Sequence, residues 1–382
     1  MSGDGLQVLR GTVRARAPEE TWQSVAPFLK DFGITRVARL TGLDCVGLPV
    51  WTALRPGSLT LSGSQGKGAT DLLAKLSAVM EAIELWHVEQ PLPIAAYGPA
   101  RDVAPDCPVS ALPLTIQHDQ DALARVVWEW TPATRLVSGE KTILPLDLVR
   151  RRVQRPAWAP DLLRATSTGL ACGNSRDEAL LHALYEIVER DVLYQDAQAG
   201  GQLRTYIDPS TVDDDLGREV VDRFAAADMA VELALVDGPY GLPVCVAYVW
   251  SEDLPVLFAG GGCHSDPGIA ATRALTEAAQ SRLTAISGTR DDLPSTPGSA
   301  ALAAFRPPRT IGLTTWSQAT SHFTRELHPF ADQVERAARR ITDVTGHEPT
   351  VMDLPGPPTP PIYAVQVIAP GTRSRITRTM SR

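Results

Sequence analysis

One eight-residue pattern recurs three times in this chain of 382 residues and limits what it can fold into. It reads Ser77-Ala78-Val79-Met80-Glu81-Ala82-Ile83-Glu84, then His182-Ala183-Leu184-Tyr185-Glu186-Ile187-Val188-Glu189, then Arg273-Ala274-Leu275-Thr276-Glu277-Ala278-Ala279-Gln280. The first, fifth and eighth positions lie on one face of a helix with about 3.6 residues per turn. Each helix therefore offers a polar stripe of one carboxylate and a second carboxylate or amide. The flanks are apolar: Leu72, Leu73 and Leu76 beside the first stripe, Leu180, Leu181 and Leu184 beside the second. A single E-x-x-E is an ordinary solvated helix face. Carboxylates set in apolar helices are costly unless they are paired or hold a cation. Glu81, Glu84, Glu186 and Glu189 thus point to bound Mg2+, which prefers hard oxygen ligands. Arg190 and Arg273 would bring positive charge to a polyphosphate.

The rest of the chain alternates helical and β-rich stretches without the strict βαβα order of a doubly wound sheet, so an α+β fold is expected. Helices are predicted over 18–32, 70–89, 175–198, 267–286 and 329–342. Strands are predicted near 125–130, 141–146 and 361–369, with a strand pair over 45–54 and a strand–helix–strand pattern over 203–251. Two glycine-bearing segments, Ser64-Gln65-Gly66-Lys67-Gly68 and Ser167 to Asn174, read as loops ahead of helix starts. Such loops present N–H groups to anions or serve as tight turns; neither is a Walker loop. Ser175-Arg176-Asp177-Glu178 has the form of a capping box. A Pro/Gly/Ser linker is read at 293–299.

Composition removes several classes of function. A net charge of −8, from 36 basic and 44 acidic residues, leaves no footprint for nucleic acid. No apolar run is long enough to span a membrane, and the first twenty residues carry no apolar signal region. Five cysteines without a CxxC pair suggest neither a disulfide framework nor structural zinc. The expected compartment is the cytoplasm. The basic stretch 372–382 is read as a flexible tail.

The runs SQGKGATDLLAKLSAVMEAIELWH, STGLACGNSRDEALLHALYEIVERD and RALTEAAQSR resemble the YcaO superfamily. The openings GTVRARAPEETW and FGITRVARLTGLDCVGLPVWTALRP are similar to its N-terminal part. The resemblance covers about residues 10–370 and implies one domain over 1–382, in which 1–60 forms a subdomain. It implies mixed sheets with buried helices that hold ATP and Mg2+ in a site unlike that of kinases. Carried over by motif, Glu81, Glu84, Glu178, Glu186, Glu189 and Glu277 would serve the metal. Arg14, Thr21, Ser77, Asn174, Glu178, Arg190 and Arg273 would approach the nucleotide. Arg190, Arg273, Glu277 and Gln280 would be catalytic. The implied chemistry is phosphorylation of a backbone amide oxygen in a ribosomally made precursor peptide. An azoline, an amidine or a thioamide would result, according to the nucleophile. The chain departs from many azoline-forming members, lacking CxxC motifs and a Pro-x-Pro-x-Pro ending. Its YAVQVIAPG segment looks most like the stand-alone and TfuA-associated members, so the resemblance leans to thioamide formation, with a TfuA-like protein as partner and a homodimer as assembly. A metal-dependent hydrolase using His87 or His182 is a different reading of the same carboxylates, and a non-catalytic peptide-binding member is a third.

Overall fold

Glycine placement decides where helices can lie against strands in this chain. The computed structural model describes residues 6–115, 118–151, 161–163, 165–288, 311–325, 328–357 and 360–374. The linker read at 293–299 and residues 375–382 of the tail lie outside these.

In chain order the elements are β1 (Gln7–Leu9), β2 (Thr12–Arg14), α1 (Pro18–Val25), β3 (Arg36–Arg39), β4 (Val50–Leu54), β5 (Gly63–Lys67) and α2 (Asp71–Glu89). Next come β6 (Ala96–Pro99), α3 (Ala100–Val103), α4 (Gln120–Ala124), β7 (Val127–Arg135), β8 (Lys141–Pro145), β9 (Leu170–Gly173) and α5 (Arg176–Gln198). Then follow β10 (Arg204–Ile207), α6 (Asp215–Ala226), β11 (Ala230–Val236), β12 (Val244–Trp250), β13 (Phe258–Cys263) and α7 (Pro267–Ser287). The last are α8 (Trp316–Thr320), α9 (Phe330–Thr345), β14 (Thr350–Asp353) and β15 (Tyr363–Ile368). The mixed helix-and-sheet class matches the expectation from sequence, and every pairing between named strands is antiparallel.

The chain divides into two compact units, each drawn from separated segments. The first comprises Met1–Gly57, Leu61–Ala82 and Val192–His328. It holds a β1-β2 hairpin, a β3-β4-β5 sheet and a β10-β11-β12-β13 sheet. Its core joins Leu216, Val220 and Phe224 of α6 and Ala270, Ala274 and Ala278 of α7 to Leu233, Cys245, Ala247 and Val249 of the sheet. Alanine and glycine make this packing close. A Cβ on Gly260 or Gly262 of β13 would lie 2.2 Å from the Ala274 carbonyl oxygen or 2.1 Å from that of Ala270. The caps follow composition. Asp266 accepts the Gly268 N–H at 2.7 Å to start α7, and Gly288 ends it at φ +59°.

The second unit comprises Ser58–Thr60, Ile83–Asp191 and Pro329–Arg382. Its sheet runs β6-β7-β14-β15-β9, with β8 on β7. The register sets Gly173 opposite Tyr363 and Leu170 opposite Gln366. Trp128 and Trp130 of β7 are buried edge to face, centroids 5.9 Å apart, and Trp130 donates to the Gly98 carbonyl.

Three departures from the sequence reading have physical causes. Helix 18–32 stops at Val25 and tightens to a 3-10 turn at Ala26–Phe28, because Pro27 has no N–H to continue the ladder. Only Val50–Leu54 of the expected strand pair is a strand; Gly47 turns at φ +67°. Both glycine segments read as loops contain strands, β5 and β9, and β13 was likewise hidden by its three glycines.

Candidate functional site

In the first unit Ser77, Glu81, Glu277 and Gln280 gather around β5. Its Gly-x-Gly alternation has a steric origin. A Cβ on Gly66 would come within 2.0 Å of the Ala78 backbone nitrogen of α2, and one on Gly68 within 2.7 Å of the Leu73 Cβ. With those positions turned to α2, Gln65 and Lys67 occupy the other face of the strand. Gln65 is a hub. Its N–H donates to Glu81 at 2.9 Å, its carbonyl accepts from Gln280 Nε2 at 2.9 Å, and its Oε1 accepts from the Thr284 hydroxyl. Lys67 Nζ pairs with Glu277 Oε2 at 2.7 Å. Arg273, one turn before Glu277, donates to the Cys263 carbonyl at 3.4 Å. In the stretch from Ile269 to Gln280 of α7, Arg273, Glu277 and Gln280 are the positions that are not buried. Ser77 packs its backbone under Gly66. Arg14 on β2 donates to the Val13 carbonyl at 3.2 Å, and the buried Thr21 hydroxyl donates to Ala17, one turn back, at 3.1 Å.

In the second unit Glu84, Asn174, Glu178, Glu186 and Arg190 gather around β9 and the turn before it. Glu84 accepts the Cys172 N–H at 3.0 Å, and Glu186 accepts the Gly169 N–H at 2.8 Å. Arg190 spans three groups: Glu186 Oε1 at 2.5 Å, Thr168 Oγ1 at 2.7 Å and Ser167 Oγ at 3.3 Å. The turn carrying those hydroxyls is fixed from below. Fully buried Gln366 donates to the Thr168 carbonyl at 2.8 Å, and the Val367 N–H donates to Gly169 at 2.7 Å. Glu189 is half-buried, three residues beyond Glu186. The capping motif forms in shifted register. The Glu178 N–H donates to Ser175 Oγ at 3.2 Å, while its carboxylate reaches past Ser175 to the Asn174 N–H at 3.0 Å and the Asn174 side chain at 3.3 Å. Glu178 and Asn174 are each 6% exposed, whereas Glu81, Glu84, Glu186 and Glu189 are half-buried. Those four are less buried than their apolar flanks alone predict.

Sequence reasoning passed over Lys67, Gln65, the Ser167 and Thr168 hydroxyls and Gln366. The period-2 alternation of Ser-Gln-Gly-Lys-Gly was the available signal for the first two.

The donor set suits Mg2+. Glu81 and Glu84 each accept a backbone N–H on one oxygen, whereas Glu186 accepts the Gly169 N–H on one oxygen and pairs with Arg190 through the other; a carboxylate has about four acceptor sites in all. Among the described residues no three His, Cys, Asp or Glu side chains are grouped as a ready metal cage. Mg2+ needs none, since it commonly takes one or two carboxylates and completes its shell with water and phosphate oxygens. His87 serves structure instead. It is 2% exposed, and its Nδ1 donates to the Pro355 carbonyl at 2.8 Å. No helix among the described residues is long and apolar enough to cross a membrane.

Comparison with known proteins identifies a family and relatives. The family model described as YcaO cyclodehydratase, ATP- and Mg2+-binding, matches residues 65–373. An uncharacterized Mycobacterium tuberculosis protein is 42% identical over 288 residues, 75% of this chain. The match spans 65% of that relative's own length. An uncharacterized protein in the tfuA 3' region of Rhizobium leguminosarum bv. trifolii is 37% identical over 299 residues, covering 73% of this chain and 69% of the relative. Among solved structures, YcaO from Methanopyrus kandleri bound with AMPPCP and Mg2+ superposes with a TM-score of 0.73 at 23% identity, covering 95% of this chain and 93% of that one. With the family model spanning most of its length, the chain belongs to the YcaO family, whose cofactors are ATP and Mg2+.

Proposed function

We propose that this protein modifies a ribosomally made precursor peptide by ATP-dependent phosphorylation of a backbone amide oxygen, and that its product is a thioamide. The observation that carries the first part is the set of stripe glutamates fixed on strand and turn N–H groups, with Arg190 held open in a fork by Glu186, Ser167 and Thr168. The thioamide and a TfuA-like partner are supported by the likeness to the relative in the tfuA 3' region.

An amide carbonyl is a weak electrophile, and its oxygen is a poor leaving group. In the proposed reaction the sulfur of a sulfide donor bonds to the carbonyl carbon, and the oxygen takes the terminal phosphoryl group of ATP. The C–O bond then breaks, phosphate leaves with that oxygen, and the proton on sulfur is lost to solvent. Bound Mg2+ supplies charge neutralisation on the transferring group. The chain supplies position. Glu81 of the first unit and Glu84, Glu186 and Glu189 of the second would serve the metal, Glu178 and Asn174 would close the start of α5, and Arg190 and Arg273 would face phosphate oxygens, which a planar guanidinium meets bidentately. Arg14, Thr21 and Ser77 would border the nucleotide, and Gln280 would steady the strand through Gln65.

The hydrolase reading loses His87, which is sealed against Pro355. The deciding experiment combines the protein, its TfuA-like neighbour, precursor peptide, ATP, Mg2+ and sulfide. The expected result is a mass gain from exchange of oxygen for sulfur. Loss of water instead would identify an azoline or amidine product, and modification without ATP would end the proposal.

A further inference from the structure

Strand β15 runs Tyr363-Ala364-Val365-Gln366-Val367-Ile368, and Gln366 is the one amide side chain in that run. It is fully buried. A buried amide is costly unless its polar atoms are paired. Here the pairing is one-sided. Nε2 donates to the Thr168 carbonyl at 2.8 Å and to the Val367 carbonyl at 3.3 Å. Two acceptors on that side fix which end of the amide carries the nitrogen. Among the described residues Oε1 meets no donor. A methionine would fill a similar volume without an orphan acceptor, so packing alone does not explain the amide.

What the amide holds is the turn before β9. The register between β9 and β15 ends at the pair of Leu170 with Gln366, two residues short of Thr168. Beyond it the Val367 N–H reaches the Gly169 carbonyl at 2.7 Å, and the Gln366 side chain takes the Thr168 carbonyl. Gly169 turns at φ +75°, and a Cβ there would sit 2.2 Å from the Val367 carbonyl oxygen. The turn is therefore pressed onto β15 and held by it. The same turn offers the Thr168 and Ser167 hydroxyls, which accept from Arg190 Nη1 at 2.7 Å and 3.3 Å. The Arg190 side chain is still 35% exposed, so a phosphate can reach it. All of these residues belong to the second unit. We infer that Gln366 is a positioning residue for Arg190: by fixing the Thr168 carbonyl it fixes the hydroxyl that aims the guanidinium at a nucleotide phosphate. This rests on the nucleotide-site reading above and adds a residue that none of the three stripes contains.

The test is calorimetric binding of AMPPCP with Mg2+ to the whole protein, with thermal melting measured beside it. Gln366→Met removes one orphan acceptor and creates another at Thr168, so its melting temperature should stay within about 3 °C of wild type. Its AMPPCP affinity should nevertheless fall by about fivefold or more. Thr168→Val deletes the hydroxyl and should lose about as much, whereas Thr168→Ser keeps it and should bind as wild type. Both losses act through Arg190, so the chain carrying Gln366→Met and Thr168→Val together should bind no worse than the weaker single variant. Losses that multiply in the double variant would overturn the inference. So would a Gln366→Met chain that binds AMPPCP as wild type, whatever its melting temperature, since a merely structural amide gives that result. If Gln366→Met does not fold, Gln366→Asn, whose amide falls one methylene short of the Thr168 carbonyl, carries the same test. Failure of the wild-type protein to bind AMPPCP with Mg2+ would overturn the functional reading itself, a result distinct from either.

Discussion

Single residues in this protein take their chemistry from what the backbone offers them. Glu81, Glu84, Glu178 and Glu186 would be costly in apolar helices, and each is met by an N–H of a strand or turn. His87 shows the same logic for a base. Burial lowers its pKa below the ordinary histidine value, against the opposing pull of the Pro355 carbonyl. A group with a depressed folded pKa adds stability that is complete above the unfolded value of about 6.5 and is lost as pH falls through the folded pKa. Unfolding free energy should therefore drop on acidification below about pH 6.5, as the unfolded chain gains a proton that the folded chain resists. His87→Asn keeps a donor for Pro355 and cannot titrate. Urea titrations from neutral to mildly acidic pH should show a flatter slope for the variant, even where its stability is lower throughout from the lost contact with Gly356. Equal slopes would assign the acid sensitivity to other groups.

At the level of elements, the repeated pattern holds two messages, and only one was legible in the sequence. Its fifth and eighth positions were read as a polar stripe, and the structure leaves those positions of α2, α5 and α7 half-buried among buried neighbours. Its second position is a packing requirement in two of the three helices: Ala78 lies under Gly66, and Ala274 under Gly260 and Gly262. Glycine was taken as a sign of turns because it usually is one. Here it marks strands that helices approach backbone to backbone, a second and rarer use. That is why the long helices were found within a few residues of their ends while β5, β9 and β13 were missed. Gly66→Ala should be strongly destabilising, by about 3 kcal/mol or more, because backbone and not a flexible side chain occupies the space. Gly42, with nothing within 4 Å of its Cβ position, is the matched control and should change stability by less than about 0.5 kcal/mol as Ala. Denaturant midpoints would show the contrast. A mild Gly66→Ala would mean that α2 can withdraw from the strand at little cost.

For the whole molecule, the order of strands was beyond the sequence because it depends on partners far apart in the chain. Pairing Gly173 with Tyr363, or Thr350 with Arg135, leaves no local signal. The chain forms two compact units from interleaved segments. The stripe residues are distributed over both: Ser77, Glu81, Arg273, Glu277 and Gln280 belong to the first, and Glu84, Asn174, Glu178, Glu186, Glu189 and Arg190 to the second. What tests the molecule as one enzyme is therefore the fate of the substrate's oxygen. If the amide oxygen is phosphorylated, a precursor carrying heavy oxygen at the target carbonyl should pass that label into released phosphate, with one ADP formed for each modified bond. A hydrolase would place solvent oxygen in the product and consume no ATP. Glu81→Gln keeps the side chain's volume and removes one charge from the proposed metal set, so the variant should melt close to wild type. Its turnover should fall by about 100-fold or more, since positioning and charge stabilisation are most of what a phosphoryl-transfer site contributes. Label retained in the peptide would exclude amide-oxygen phosphorylation, and full turnover by Glu81→Gln would remove that residue from the metal set while leaving the fold as it stands.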